Sequence, residues 1–194
     1  MNRFEFEPIQ RSHFPLLSEW LRTPHVARWW HDDPSLAAIE ADYGANVDGT
    51  EPSEVFIARC DGTPLGLVQR YRLHDYPQYL AELAPIISTP ASARSIDYLV
   101  GPVEALGKGL GTAMIQAFVR MVWCDHAACS HIIVPVNVAN RASCRVLERA
   151  GFVCVATGDL TPDNPIDDTW HFIYGLQRDA VWGRAEAARA NVRP

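Results

Sequence analysis

Three glycines lie within five residues of this chain, Gly107-Lys108-Gly109-Leu110-Gly111. This segment follows a predicted strand, Ser95–Val100, and precedes apolar residues at helical spacing. Glycine permits positive φ and lets another group approach the backbone closely. The helix that follows begins with unpaired N–H groups and a positive dipole end. The pattern therefore predicts a cradle for a pyrophosphate, although its spacing fits neither a Walker loop nor the GxGxxG fingerprint.

The second half of the chain alternates strands and helices. Apolar residues on one face predict a helix from Leu110 to about Val122. Asn140 is a predicted N-cap of the next helix, which Gly151 ends. Further strands are predicted over three segments, His131–Val136, Phe152–Thr157 and Trp170–Leu176.

In the N-terminal half of the chain, the sequence predicts a strand near Phe4 to Ile9, three helices and a hairpin. The helices cover His13 to Leu21 with Ser12 as N-cap, a short segment opened by Pro24, and Pro34 to about Asn46. The hairpin joins Val55–Cys60 to Leu65–Tyr71 through Asp61-Gly62-Thr63-Pro64. The prolines between Leu73 and Ala93 predict a long irregular segment.

Length and charge limit the class of protein. A chain of 194 residues suits one domain, which we expect over residues 1–178 with a polar tail over 179–194. With 23 acidic and 17 basic residues, the net charge of −6 disfavours nucleic acid as a partner and suits a small cationic ligand. The N-terminus lacks the apolar region of a signal peptide, and no apolar run is long enough to span a membrane. We expect a cytoplasmic protein without membrane partners.

The five cysteines do not predict a metal site. Their number is odd, and no CxxC pair or Cys/His cluster has zinc-ligand spacing. Buried free thiols are the predicted state, and we expect no metal cofactor.

Two separated motifs resemble the GCN5-related N-acetyltransferase (GNAT) superfamily. Its [Q/R]-x-x-G-x-[G/A] signature is similar to Leu106 to Gly111, with Leu106 where Gln or Arg is usual. Its later N-x-[RA]-A…[YL]-E-[KR]-x-G-F pattern is matched by Asn140 to Phe152.

Within that superfamily the chain most resembles the aminoglycoside 6'-N-acetyltransferases. The shared features run almost from end to end: Glu19-Trp20-Leu21, Trp29-Trp30, Pro64-Leu65-Gly66, Ile96-Asp97, Leu106 to Thr112, Ala150-Gly151-Phe152 and Thr161-Pro162-Asp163. The resemblance implies an α/β fold of the α+β type, with a mixed, mostly antiparallel central sheet, flanking helices and a splayed pair of parallel strands.

The resemblance also implies acetyl-CoA as the donor co-substrate. The cleft would open between Ser95–Val100 and His131–Val136, and the backbone N–H of Tyr98 or Leu99 would polarise the thioester carbonyl. The residues expected to bind CoA are Tyr98, Leu99, Val100, Gly107, Lys108, Gly109, Leu110, Gly111, Thr112, Asn137, Asn140 and Arg145.

On the acceptor side, the resemblance places a catalytic carboxylate at Asp97. A carboxylate near the thioester can attract an ammonium group and take its proton, directly or through water. The expected substrate-binding residues are Trp29, Trp30, Asp75, Glu82 and Asp97 itself, and Asp32 and Asp33 are further candidate acids.

The chain departs from the aminoglycoside enzymes at two positions. Pro135 stands where these relatives usually have a substrate-binding Asp, and Leu147 stands where a Tyr can protonate the leaving thiolate. An aminoglycoside 6'-amine is the leading acceptor. The alternatives are acylation of a lysine-derived amine or a polyamine, and binding of CoA or an antibiotic without turnover. A monomer or a homodimer is expected.

Overall fold

The fold is built on one seven-stranded sheet. The computed structural model describes residues 2–178, so the expected polar tail at 179–194 lies outside the described residues. The strands run along the sheet in the order β1-β2-β3-β4-β5-β7-β6. Their bounds are Phe4–Pro8 (β1), Glu54–Cys60 (β2), Thr63–Arg72 (β3), Arg94–Val100 (β4), His131–Asn137 (β5), Val153–Asp159 (β6) and Trp170–Gln177 (β7).

Every neighbouring pair of strands is antiparallel except β4 and β5. This parallel pair is joined at a single register position, Arg94↔Ile132. Beyond that position the two strands separate toward their C-terminal ends. The mixed, mostly antiparallel sheet with a splayed parallel pair is thus confirmed.

Helices cover both faces of the sheet. Their bounds are Phe14–Leu21 (α1), Pro24–Trp30 (α2), Leu36–Val47 (α3), Pro77–Leu83 (α4), Leu110–Asp125 (α5) and Arg141–Ala150 (α6). One core cluster packs α5 and α6 on the sheet through residues such as Phe118 and Leu147. A second cluster packs α1 and α3 on the opposite face through residues such as Leu17 and Ile39. Burial of these apolar side chains is the main stabilising contribution.

The predicted starts of two helices were wrong. A short 3-10 turn, Arg11–His13, precedes α1, so Ser12 is not the N-cap of that helix. The third helix begins at Leu36, because the side chain of Ser35 accepts a hydrogen bond from the Ala38 amide and caps it.

The segment predicted to be irregular between Leu73 and Ala93 contains a 3-10 turn, Leu73–Asp75, and helix α4. Proline at the first position of a helix loses no hydrogen bond, so Pro77 begins α4 and does not break it.

The prediction of buried thiols holds for Cys129 and Cys144, whereas Cys124 and Cys154 are exposed.

Candidate active site

A cleft of about 690 Å³ opens where β4 and β5 separate. It is lined by β4 and β5, by the N-terminal helices and by the loop between β6 and β7. The expected site residues that line it are Trp29, Trp30, Asp97, Tyr98, Asn137 and Asn140. The cleft therefore brings the expected catalytic carboxylate together with side chains from both halves of the chain.

Asp97 lies in β4 directly opposite Gln69 of β3. The Nε2 of Gln69 donates a 2.7 Å hydrogen bond to Asp97 Oδ2. Burial raises the pKa of Asp97 to about 6, and the nearby charge of Asp163 acts in the same direction, while the bond from Gln69 opposes them. A carboxylate with such a pKa is mostly ionised at neutral pH and remains a stronger base than an ordinary Asp.

The hydrogen-bond pattern of β4 determines which of its amides face the gap. The pairs Gly101/Leu65 and Leu73/Ala93, just outside the ladder, are both hydrogen-bonded between β3 and β4. Because such pairs alternate along an antiparallel ladder, the amide of Leu99 points to β3, whereas the amides of Tyr98 and Val100 point toward β5. Of the two amides left open by the sequence, that of Tyr98 thus faces the gap.

The opposite wall of the gap contains Pro135. The pairs Val138/Trp170 and Arg178/Ser130 are hydrogen-bonded between β5 and β7, so the same alternation points the backbone of Pro135 toward β4. Because β4 and β5 have separated at this point, an N–H of residue 135 would have no partner in β4, and proline, which lacks an N–H, therefore costs no hydrogen bond between the strands. Proline is compatible with this inner strand because the cleft lies beside it.

The glycine-rich turn leads directly into the N-terminus of α5. Gly107 and Gly109 have φ of 72° and 77°, a left-handed conformation that favours glycine. The amide of Ala113 bonds the carbonyl of Gly109, so the amides before it have no acceptor within the helix. The first turn of α5 holds no acidic residue, and Lys108 is exposed beside it. This terminus can hold a pyrophosphate without charge repulsion from its own helix.

The remaining residues expected at the CoA site differ in their surroundings. The side chain of Asn137 donates to the carbonyl of Asp168 at 2.7 Å, and that of Asn140 caps α6 by accepting from the Ser143 amide. Arg145 is exposed on α6 and does not line the cleft. The two asparagines therefore shape the rim of the cleft, and Arg145 lies on the outer surface of the helix.

Two acids expected to bind the acceptor do not line the cleft. Asp75 is exposed and pairs with Arg72 at 3.0 Å. Glu82 is also exposed and accepts a 3.0 Å hydrogen bond from the amide of Thr161. Glu82 thus holds the loop between β6 and β7 in place, at the edge of the cleft.

Other acids lie in the cleft instead. Asp32 lines it, and burial raises its pKa to about 6, with the charges of Asp42 and Asp163 acting in the same direction. Burial also raises the pKa of Asp163. Asp33, the neighbour of Asp32, is exposed and caps the Ser35 amide at 2.8 Å. The carboxylates of Asp32, Asp42, Asp97 and Asp163 around one opening favour a ligand with ammonium groups.

The two tryptophans are part of the same wall. Trp29 lies under the guanidinium of Arg28, whose carbon is 4.1 Å from the ring centroid, and Arg28 is paired with Asp167. Trp30 packs against the core formed by the N-terminal helices. Both rings are half-buried and line the cleft, so one side of each is available to a ligand.

Sequence reasoning missed several cleft residues, above all Gln69, Tyr43 and Ser143. Gln69 could have been found as a polar residue two positions after Leu67, on the same face of the strand. Tyr43 is buried on α3, whose apolar pattern gives no signal for a cleft residue. Ser143 lies in the first turn of α6, where serine is commonly explained by helix-terminus preference alone.

Two negative findings concern the described residues. Within residues 2–178, His, Cys, Asp and Glu side chains form no group of three that could hold a metal ion. In the same part of the chain, no helix combines the length and the apolarity that crossing a membrane requires.

Residues 10–160 of the chain match the protein-family model described as "Acetyltransferase (GNAT) domain". A curated relative, aminoglycoside N(6')-acetyltransferase type 1 of Klebsiella pneumoniae, is 32% identical over 154 residues, which are 77% of this chain and 73% of the relative.

Solved structures agree with this relationship. The chain matches the aminoglycoside acetyltransferase AAC(6')-Ib in complex with coenzyme A at a TM-score of 0.78 and 26% identity, over 93% of this chain and 98% of that one. The complex of AAC(6')-Ib with coenzyme A and kanamycin gives the same values. The chain belongs to the GNAT acetyltransferase family.

Proposed function

We propose that this protein transfers the acetyl group of acetyl-CoA to the 6'-amine of an aminoglycoside antibiotic. The observation that carries the proposal is Asp97, a partly buried carboxylate with a pKa of about 6. It lies in a cleft that Asp32 and Asp163 also line and that opens where β4 and β5 separate. Curated relatives with this activity support the choice of acceptor.

The donor is held by backbone groups. The amides at the start of α5, with Gly107 and Gly109, bind the pyrophosphate of CoA. The amide of Tyr98 donates a hydrogen bond to the thioester carbonyl and stabilises the negative charge that develops on its oxygen. Acetyl-CoA supplies the activated acetyl group.

The acceptor is drawn in as a cation. Asp32, Asp42 and Asp163 attract its ammonium groups, and Asp97 attracts the reacting one. An amine with a lysine-like pKa of about 10.4 is protonated at neutral pH and cannot attack. Asp97 takes that proton, directly or through water, so the free amine is generated beside the thioester.

Thiol release from acetyl-CoA tests the proposal with a panel of acceptors. Aminoglycosides, linear polyamines and lysine derivatives are compared at equal concentration, with CoA binding measured separately by calorimetry. The expected result is fast release with aminoglycosides and slow release with the other two classes. Faster turnover of a polyamine or a lysine derivative would show that this class, and not the aminoglycosides, supplies the acceptor. CoA binding without release from any acceptor would indicate a binding protein.

A further inference from the structure

The hydroxyl groups of Tyr98 and Ser143 meet inside the cleft. Tyr98 extends from β4 and Ser143 lies in the first turn of α6, and both line the cleft. The Tyr98 oxygen is 2.7 Å from Ser143 Oγ. Either oxygen can be the donor, so this bond uses one O–H and leaves a second, and a Tyr98 hydroxyl that does not bond Ser143 Oγ has only the Ser143 carbonyl, at 3.4 Å, as another acceptor. This hydroxyl pair has no role in the steps described so far.

The alternation of β4 places the hydroxyl pair on the donor side of the sheet. Asp97 lies on the face that α1 and α3 cover, because its neighbour on that face, Leu99, packs in their cluster. Tyr98 points to the opposite face and packs in the cluster that contains residues of α5 and α6. The glycine-rich turn opens α5 on this face. The acceptor thus approaches from the Asp97 side, and CoA lies on the Tyr98 side.

The next turn of α6 supplies no hydroxyl to the cleft. Leu147 is fully buried in the core beneath α6. Ser143 is the single hydroxyl residue of Arg141–Ala150, a segment that the structure describes throughout. Burial raises the pKa of Tyr98 above its usual range, so its hydroxyl stays protonated over the pH range of an assay.

We propose that the Tyr98–Ser143 hydroxyl pair donates a hydrogen bond to the sulfur of the departing CoA thiolate. This proposal rests on the proposed function. As the acceptor nitrogen bonds to the acetyl carbon, the carbon–sulfur bond breaks and sulfur keeps the electron pair. Asp97, after passing the proton of the ammonium group on to solvent, takes the second proton that the nitrogen loses as the amide forms. The hydroxyl pair keeps its own protons and stabilises the negative sulfur, which then takes a proton from solvent.

The CoA thiol itself is the probe, because a donor aimed at sulfur favours the thiolate over the thiol. CoA bound to the protein is titrated by the ultraviolet absorbance of its thiolate. The variants are Tyr98→Phe and Ser143→Ala. The matched control is Tyr174→Phe, since Tyr174 also joins the sheet to α6, through a 2.9 Å bond to Glu148, and does not line the cleft.

In the wild type, the bound thiol should titrate below its usual pKa of about 8.5. Tyr98→Phe should weaken thiolate binding by about 10- to 100-fold, as expected for losing a hydrogen bond to a charged group. The kcat should fall by a similar factor, with little change in the KM for the acceptor. The control should behave as the wild type, and Ser143→Ala should change the titration in the same direction as Tyr98→Phe.

The outcomes separate this proposal from the proposed function. If CoA binds normally but its thiol titrates identically in the wild type and in both variants, the hydroxyl pair does not act on sulfur and the proposal is overturned. If the wild type does not bind CoA, the proposed function fails as well. Ser143→Ala introduces a good helix former into α6, so it provides the test if Tyr98→Phe does not fold.

Discussion

The Gln69 carboxamide donates a 2.7 Å hydrogen bond to the Asp97 carboxylate from the directly opposed position of the neighbouring strand. This bond fixes Oδ2 against β3. Because the partners are locked in register by the β3–β4 ladder, the orientation of Asp97 does not depend on a loop. The first two predictions concern this pair.

Asp97→Asn should lower kcat by about 10²- to 10⁴-fold, the range typical of losing a general base. CoA affinity should change little, because the proposed pyrophosphate site is formed by amides at the start of α5. Steady-state kinetics and calorimetry measure the two quantities. Asp61→Asn is the control, since Asp61 lies at the hairpin tip and its φ of 50° suits asparagine. Near-normal kcat in Asp97→Asn would mean that another group takes the proton.

The pH profile should report the pKa of Asp97. Below about pH 6 the carboxylate gains a proton and can no longer accept one from the acceptor, so kcat/KM should fall with decreasing pH. The bond from Gln69 favours the ionised form, and its loss in Gln69→Leu should raise this pKa and move the acid limb to higher pH. Gln177→Leu, on the exposed end of β7, is the control and should leave the limb in place. If the acid limb stays at the same pH in Gln69→Leu, the group that titrates there is not Asp97.

Gly109→Val should abolish most CoA binding, because a branched side chain would occupy the proposed pyrophosphate cradle and disfavour the positive φ that forms it. The matched control is Gly62→Val. Gly62 has a φ of 80°, and neither glycine has a heavy atom within 4 Å of an added Cβ. Both variants should lose similar stability on thermal unfolding, and only Gly109→Val should lose CoA binding in calorimetry. Equal CoA affinity in the two variants would place the pyrophosphate elsewhere.

Asp32→Asn should raise the KM for an aminoglycoside about tenfold, the effect of losing a charge pair of roughly 1.4 kcal/mol. The wild-type KM should also rise with salt, because added ions screen the acidic cleft. Asp33→Asn is an adjacent control that keeps the oxygen cap on the Ser35 amide and lies outside the cleft lining. An acceptor KM that is independent of salt and equal in the two variants would argue against a polycationic acceptor.

Much of the fold could be predicted from local pattern. The glycines at 107 and 109, the cap at Asn140 and the stop at Gly151 each depend on backbone conformation, and the structure has the expected left-handed glycines and capped helix there. Helix α4 was missed because Pro77 was interpreted as a helix breaker, whereas at the first position of a helix it is compatible with the fold.

The cleft could be predicted only in part, because its members come together through long-range pairing. Asp97 and Tyr98 were expected from the resemblance to the GNAT superfamily, which concerns neighbouring residues of one predicted strand. Gln69 is 28 residues from Asp97 in sequence, and only the β3–β4 register places them together. The position of Glu82 at the edge of the cleft likewise depends on its long-range bond to the Thr161 amide, whereas Asp75 pairs with Arg72 only three residues earlier in the chain.

A matched pair of aminoglycosides tests acetyl transfer to the 6'-amine. The two acceptors are identical except that one carries an amine and the other a hydroxyl at the 6' position. Thiol release from acetyl-CoA is followed for both, and the products are analysed by mass spectrometry and NMR. The amine should be turned over and acetylated once, at the 6' nitrogen, and the hydroxyl analogue should give no product. Equal turnover of both acceptors, or acetylation at a different amine, would rule out acetyl transfer to the 6'-amine.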